Sequence, residues 1–148
     1  MEKMIRFQLI SAGDTYRIRQ QILRPAQSLE ECQYEGDLDL SSFHIGAFDE
    51  HELVSVGSFY QESQNGLKGK RAYRLRGMAT LPEYRGKGIG KQLIEYSEGI
   101  LKERGCDLWW CNARISAGPY YEKLGLNQMG DIFEIEPIGP HVIMYKHI

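Results

Sequence analysis

Between Pro82 and Leu93 the chain reads PEYRGKGIGKQL, with Gly86, Gly88 and Gly90 interleaved with Arg85, Lys87 and Lys91 just ahead of an apolar-periodic run. Glycines at a turn into a helix let the backbone approach a ligand closely, and the free N–H groups of the first helical turn carry a partial positive charge. Three cations beside them suit an anion, and a diphosphate is the natural guest. The same residues also fit a plain strand-to-helix turn carrying solvated lysines. Two familiar phosphate motifs fail on spacing. A Walker loop needs Ser or Thr after Gly-Lys, and here Gly88 follows Lys87. A dinucleotide fingerprint needs G-x-G-x-x-G, and here Lys91 stands at the third required position.

The elements that would hold this loop follow from periodicity. Met4 to Ile10 alternates like a half-buried strand, and Ser11-x-x-Asp14 resembles a capping box opening a helix over TYRIRQQIL before Pro25. Ala26 to Ser42 is polar and acidic, and fits either a short helix in a long loop or a surface insertion. Phe43 to Phe48 and Leu53 to Tyr60 read as a hairpin around Asp49–Glu52. Arg71 to Leu81 reads as a strand whose Gly77 marks a bulge or a close backbone approach. Ile89, Leu93, Tyr96 and Ile100 recur at helical spacing until Gly105, and DLWWCN (Asp107 to Asn112) is apolar enough for a strand buried on both faces. Pro119 opens a short helix PYYEKL ending at Gly125, and Asn127 to Glu136 and His141 to Lys146 supply two last strands. The order predicts an α/β domain, antiparallel in its first half, with the helix after the glycine loop joining two neighbouring parallel strands.

Bulk properties narrow the setting. At 148 residues, a single domain spanning 1–148 is the expectation. With 42% hydrophobic and 26% charged residues the composition is that of a soluble globular protein, and no apolar run approaches the roughly 18 residues of a membrane span. MEKMIRFQLI lacks the apolar core and cleavage site of a signal peptide, so a cytoplasmic location is expected. Cys32, Cys106 and Cys111 contain no Cys-x-x-Cys pair, which argues against a disulfide framework and against a zinc site; no metal is expected. A net charge of −2 leaves no basic footprint for nucleic acid.

Taken together, the motifs resemble the GNAT superfamily of N-acetyltransferases. Its Arg/Gln-x-x-Gly-x-Gly/Ala signature is matched by Arg85, Gly88 and Gly90 after MATLPEY, its Asn-Ala strand end by Asn112-Ala113, and its aromatic-Tyr-Glu-Lys-x-Gly pattern by Tyr120 to Gly125, with Leu126 where phenylalanine is common. The resemblance covers Arg71 to Leu126. It implies a mixed, mostly antiparallel central sheet flanked by helices, with a splayed strand pair holding acetyl-CoA. The cofactor's pyrophosphate would lie on Arg85, Gly86, Lys87, Gly88, Ile89, Gly90 and Lys91. Its pantetheine arm would pair with Met78, Ala79 and Thr80 like an added strand, and a backbone N–H near Met78 would polarise the thioester carbonyl. Tyr121 would protonate the leaving thiolate, and Asn112 would bind coenzyme A or orient the next helix.

The reaction so implied moves acetyl from acetyl-CoA to a primary amine by direct attack in a ternary complex; a non-catalytic acetyl-CoA sensor or scaffold is the alternative. Freeing an alkyl amine of pKa about 10.4 at pH 7 costs roughly 4 to 5 kcal/mol, so a base or a water path must help. Arg74, Arg76, Trp109 and Trp110 stand where relatives place a glutamate base, and His141 is the candidate instead, as base or acceptor contact. Glu31, Glu35 and Asp37 could attract a cationic amine or form a solvated face, and Arg24, Gln27 and Asn112 are candidate acceptor contacts. Cys111 reads as a buried strand cysteine. The expected partner is a small-molecule or peptide amine, with neither nucleic acid nor membrane. A homodimer through the C-terminal strands is compatible with the fold.

Overall fold

The computed structural model describes residues 4–148, so the first three residues of the N-terminal stretch read above lie outside the described residues. The strands are β1 (Ile5–Ile10), β2 (Phe43–Asp49), β3 (Glu52–Gln61), β4 (Ala72–Thr80), β5 (Leu108–Arg114), β6 (Asn127–Ile135) and β7 (Gly139–His147), and the helices α1 (Ala12–Ile18), α2 (Ile89–Glu103) and α3 (Gly118–Lys123). The strands form a seven-stranded sheet in the order β1-β2-β3-β4-β5-β7-β6. The β1–β2, β2–β3, β5–β7 and β6–β7 ladders are antiparallel, whereas β4–β5 is parallel. A parallel pair needs a crossover, and α2 supplies it between these two strands. The mixed, mostly antiparallel sheet with helices matches the expectation, and no helix among the described residues is long and apolar enough to cross a membrane.

The chain divides into two compact units, Met1–Tyr60 with Leu75–Ile100 and Gln61–Arg74 with Leu101–Ile148. In the first, Ser11 caps α1 in a reciprocal box: its hydroxyl accepts from Asp14 N at 3.2 Å while Asp14 Oδ2 accepts from Ser11 N at 3.2 Å. The core is built on Ile45, Val54, Val56, Phe59, Leu93 and Ile94, all buried. Gly57 lets α2 lie close, because a Cβ there would stand 3.1 Å from Leu93 Cδ2. In the second unit Leu101, Leu108, Trp109, Trp110 and Met144 are buried. The apolar DLWWCN run indeed forms a strand covered along most of its length. Gly105 N to Lys102 O and Cys106 N to Leu101 O close the end of α2 where the glycine predicted it.

The segment between α1 and β2 departs from the surface-insertion reading. A π-helical stretch, Arg19–Leu23, continues from α1, a 3-10 turn follows at Glu30–Cys32, and the segment is pinned inward by Cys32 and Asp37, which are 0% and 6% exposed. Asp37 is therefore no lure for a cationic amine: both its oxygens receive hydrogen bonds from Arg19, at 2.7 and 3.1 Å, and Tyr60 donates to Oδ1. Arg19, fully buried, also donates to Cys32 O and Ser58 Oγ, each at 2.9 Å. Burial pushes the Asp37 carboxyl up, but hydrogen bonds from Arg19, Tyr60 and the Tyr34 main chain outweigh it and hold it below its usual range.

His44, opposite Ser58 in the β2–β3 ladder, completes the cluster. Its Nε2 lies 3.0 Å from Asp37 O and must donate there, because a carbonyl only accepts. Nδ1 is left to accept from Ser58 Oγ at 2.7 Å. Burial, the largest influence, lowers the His44 pKa from 6.5. The unfolded chain therefore takes up this proton first as pH falls, so stability should be full above about pH 6.5 and decline as pH drops through the folded-state pKa. Urea midpoints at a series of pH values should show that decline, and His44→Asn should flatten it. Asp37→Ala, which strands the buried guanidinium, should cost about 3 to 5 kcal/mol in the same measurement; a cost below 1 kcal/mol would show the pair to be dispensable.

Candidate active site

In the first unit, β4 feeds into the glycine loop. Leu81 N donates to Val54 O at 2.9 Å, holding the end of β4 to β3, and a 3-10 turn over Pro82–Tyr84 follows. The Tyr84 hydroxyl anchors this turn to the β2–β3 hairpin, donating to Asp49 Oδ2 at 2.6 Å with Glu52 Oε1 3.1 Å away. The bond to Asp49, then burial and Glu52, raise the Tyr84 pKa, so it stays a donor across the working range.

Gly86 and Gly88 then take φ of +75° and +80°. Nothing lies within 4 Å of where a Cβ would be at either, so their requirement is conformational and the space above the loop is open. Ile89, buried, plugs the start of α2 into the core, while Gly90 and Lys91 occupy its first turn with N–H groups unclaimed by the helix. Lys87 lies over the Tyr84 ring at 5.4 Å, and Lys91 leans toward Glu95 at 4.0 Å. Arg85 does more than contribute charge: its Nε donates to Thr80 O at 3.1 Å and buckles the loop onto the end of β4. The residues therefore fit a diphosphate, with an open, glycine-permitted backbone at the N-terminus of a 15-residue helix.

Met78, Ala79 and Thr80 lie on β4 directly before this loop. Ser55 Oγ lies 3.1 Å from Ala79 O and 2.8 Å from Thr80 Oγ1, so the strand's last turnings are fixed from β3. Gly77, predicted as a bulge or a close approach, is the latter: its φ is +63°, and a Cβ would sit 2.9 Å from Tyr34 Cε2 and 3.2 Å from Arg19 Nε. The β4–β5 ladder comprises the three pairs Ala72↔Leu108, Tyr73↔Trp109 and Arg74↔Trp110, while β4 itself runs on to Thr80.

Asn112, Tyr121 and His141 belong to the second unit. Asn112 is half-buried on β5 opposite Ile143, with Cys111 and Ala113 buried beside it. Tyr120 and Tyr121 part as their spacing on a helix requires: Tyr120 is 40% exposed, and Tyr121 is half-buried with its side chain beside Cys111. Burial above all, then the Cys111 and Tyr120 neighbours, holds Tyr121 protonated well above pH 10. Burial pushes Cys111 up to about 12, so it remains a thiol. His141, 5% exposed, sits on β7 opposite Arg114 of β5 and Phe133 of β6, and its Nδ1 donates to Gly139 O at 2.8 Å. When neutral it therefore presents Nε2 as the lone-pair nitrogen.

Sequence reasoning missed the Arg19 cluster and the Cys111 partner of Tyr121. The signal for the first was available only as an arginine at the end of an amphipathic helix and as Ser58 and Tyr60 two apart on a strand. For the second there was only an aromatic pair and a strand cysteine.

Comparison with known proteins places these motifs in context. The model of the Acetyltransferase (GNAT) family matches residues 12–126. An uncharacterized N-acetyltransferase of Bacillus subtilis, YitI, is 48% identical over 143 residues, covering 97% of this chain and 96% of its own. Among solved structures, an aminoglycoside 6'-N-acetyltransferase complexed with coenzyme A superposes with a TM-score of 0.75 at 17% identity over 96% of both chains. Escherichia coli ElaA does so with a TM-score of 0.75 at 18% identity over 97% of this chain and 99% of its own.

The loop geometry makes a direct prediction. Gly88→Ala, strained by its positive φ despite the open space, should lower stability by about 1 to 2 kcal/mol and weaken binding of pyrophosphate in calorimetry. Gly99→Ala, at an exposed position inside α2 with nothing within 4 Å, should instead raise stability by about 0.5 to 1 kcal/mol and leave that binding unchanged.

Proposed function

From its membership of the acetyltransferase (GNAT) family, to which this chain belongs, we propose that it moves an acetyl group from acetyl-CoA to a primary amine in the cytoplasm, by direct attack in a ternary complex. The observation that carries this reading is the loop from Arg85 to Lys91, with two glycines at positive φ opening on the start of α2. Its backbone N–H groups and Lys87 and Lys91 are the natural holders of the diphosphate. Met78, Ala79 and Thr80 offer the strand for the pantetheine arm, and the family resemblance points to the Met78 N–H as the donor to the thioester oxygen. Bound there, acetyl-CoA supplies the activated acyl group.

The chain's own residues then manage protons. Tyr121 holds a proton well above pH 10, the state required of a group that gives it to a departing thiolate near neutrality. Cys111 is held as a buried thiol, which disfavours an acyl-enzyme on that residue and favours direct transfer. His141, with Nδ1 committed to Gly139 O, offers Nε2 as base toward an ammonium, and Asn112 is the candidate to bind coenzyme A or to orient the helix after it.

Tyr121→Phe should lower kcat about 100-fold while calorimetric affinity for coenzyme A stays within about twofold. Full turnover in that variant would remove Tyr121 from the chemistry. Failure of the wild type to consume acetyl-CoA with any amine, despite tight binding, would leave a sensor or scaffold. Because Tyr121 deprotonates only well above its usual range, the wild-type rate should climb with pH as the amine is freed and show no alkaline fall below about pH 10.

A further inference from the structure

The loop from Arg85 to Lys91 is fastened at its ends and open in its middle. Gly86 and Gly88 have positive φ, and nothing lies within 4 Å of the Cβ position at either, so no neighbour presses them into place. Glycine also has the most conformational freedom to lose when a ligand orders it. At the exit, Ile89 is buried and Gln92 N donates to Gly88 O at 3.1 Å. At the entry, Tyr84 N donates to Leu81 O at 2.9 Å and Arg85 Nε to Thr80 O at 3.1 Å. These entry bonds reach back no more than five residues, so they shape the turn without fixing it to a distant element.

The Tyr84 hydroxyl acts over a longer range. Its partners, Asp49 Oδ2 at 2.6 Å and Glu52 Oε1 at 3.1 Å, lie 35 and 32 residues away, at the end of β2 and the start of β3. Asp49 is itself set in the sheet, paired with Ile5 of β1 and with Glu52 of β3. The hydroxyl therefore refers the loop to the sheet. Two carboxylates beside a loop suited to a diphosphate oppose that ligand by charge, so any help they give to binding comes through the tether. The Tyr84 ring has a second use: Lys87 Nζ stands 5.4 Å from its centre, so the side chain that fixes the entry also restrains one of the loop's cations. All of these residues belong to the first unit.

We propose that Tyr84 is a positioning residue for the coenzyme: its hydroxyl, tied to Asp49 and Glu52, holds the glycine loop in the conformation that receives the diphosphate, and its ring keeps Lys87 beside that loop. Without the tether a loop with two unsupported glycines samples other conformations, and apparent affinity falls with the fraction of molecules whose loop is competent to bind. The effect is on coenzyme affinity and not on the chemical step. The inference rests on the acyl-transfer reading for naming coenzyme A as the ligand, and on the Tyr84 geometry for the tether itself.

Tyr84→Phe is the direct test, because it removes the hydroxyl and keeps the ring under Lys87. Calorimetry with coenzyme A should give a Kd raised by about 5- to 10-fold, and the KM for acetyl-CoA should rise in step while kcat stays within about twofold. Asp49→Ala should weaken binding similarly, and Asp49→Asn, which keeps an acceptor oxygen, should restore most of it. The double variant Tyr84→Phe with Asp49→Ala should lose no more than the larger single loss, since both break one bond. Tyr84→Leu, which also removes the ring, should bind more weakly still. A hydroxyl that serves the fold alone would lower the urea midpoint and leave Kd unchanged; that result, or additive losses in the double variant, would overturn the proposal. Should no amine be acetylated, the enzymatic reading fails separately and calorimetry decides the inference: a raised Kd in Tyr84→Phe supports it, and an equal Kd overturns it. A wild-type protein that binds neither coenzyme A nor pyrophosphate overturns both.

Discussion

The ion pair between Arg19 and Asp37 is the constraint on which the first half of this protein depends. A guanidinium with no exposure to water is tolerable only if its charge is balanced and most of its donors are used, and Asp37, Cys32 O, Ser58 and Tyr60 do that. The consequence is geometric. To reach Arg19, the long segment after α1 must fold inward at Cys32 and Asp37, and this brings Tyr34 against the guanidinium and against Gly77. A hydrophobic replacement of the pair could fill the same volume, but it would not dictate where Tyr34 goes.

Gly77 and the pair Gly86 and Gly88 answer two different demands with the same residue type. At Gly77 both the positive φ and the 2.9 Å approach of Tyr34 exclude a side chain, so the glycine is fixed by packing as well as by conformation. At Gly86 and Gly88 there is space, and only the backbone turn demands glycine. Space above free N–H groups is what the proposed diphosphate would require of this loop. Arg85 shows how the loop is kept in place: its bond to Thr80 O ties the glycine loop to the strand before it, so under the proposed function cofactor backbone and acyl group would be registered against one rigid element.

In the second unit burial sets the chemistry of the side chains. Tyr121 and Cys111 are neighbours whose shared burial raises both, which makes the tyrosine a persistent proton donor and the cysteine an inert thiol. His141 has its tautomer chosen by its own turn, through Gly139 O.

What the sequence determined by itself was whatever is encoded locally. The Ser11 cap, the helix that stops at Gly105, the apolar strand around Trp109 and Trp110, and the glycine loop each follow from steric and hydrogen-bonding rules acting within a few residues, and the loop's spacing was enough to exclude the common nucleotide motifs and to point to the family. Tertiary structure decided what distant residues do to one another. Arg19 and Asp37 lie 18 positions apart, and Arg19 and Tyr60 lie 41 apart. Nothing in the acidic composition around Asp37 distinguishes a solvated charge from a buried counterion, because burial is a property of the packed chain. The three arginines at Tyr34 were likewise invisible as a group, because only the fold brings residues 19, 24, 34 and 76 to one place.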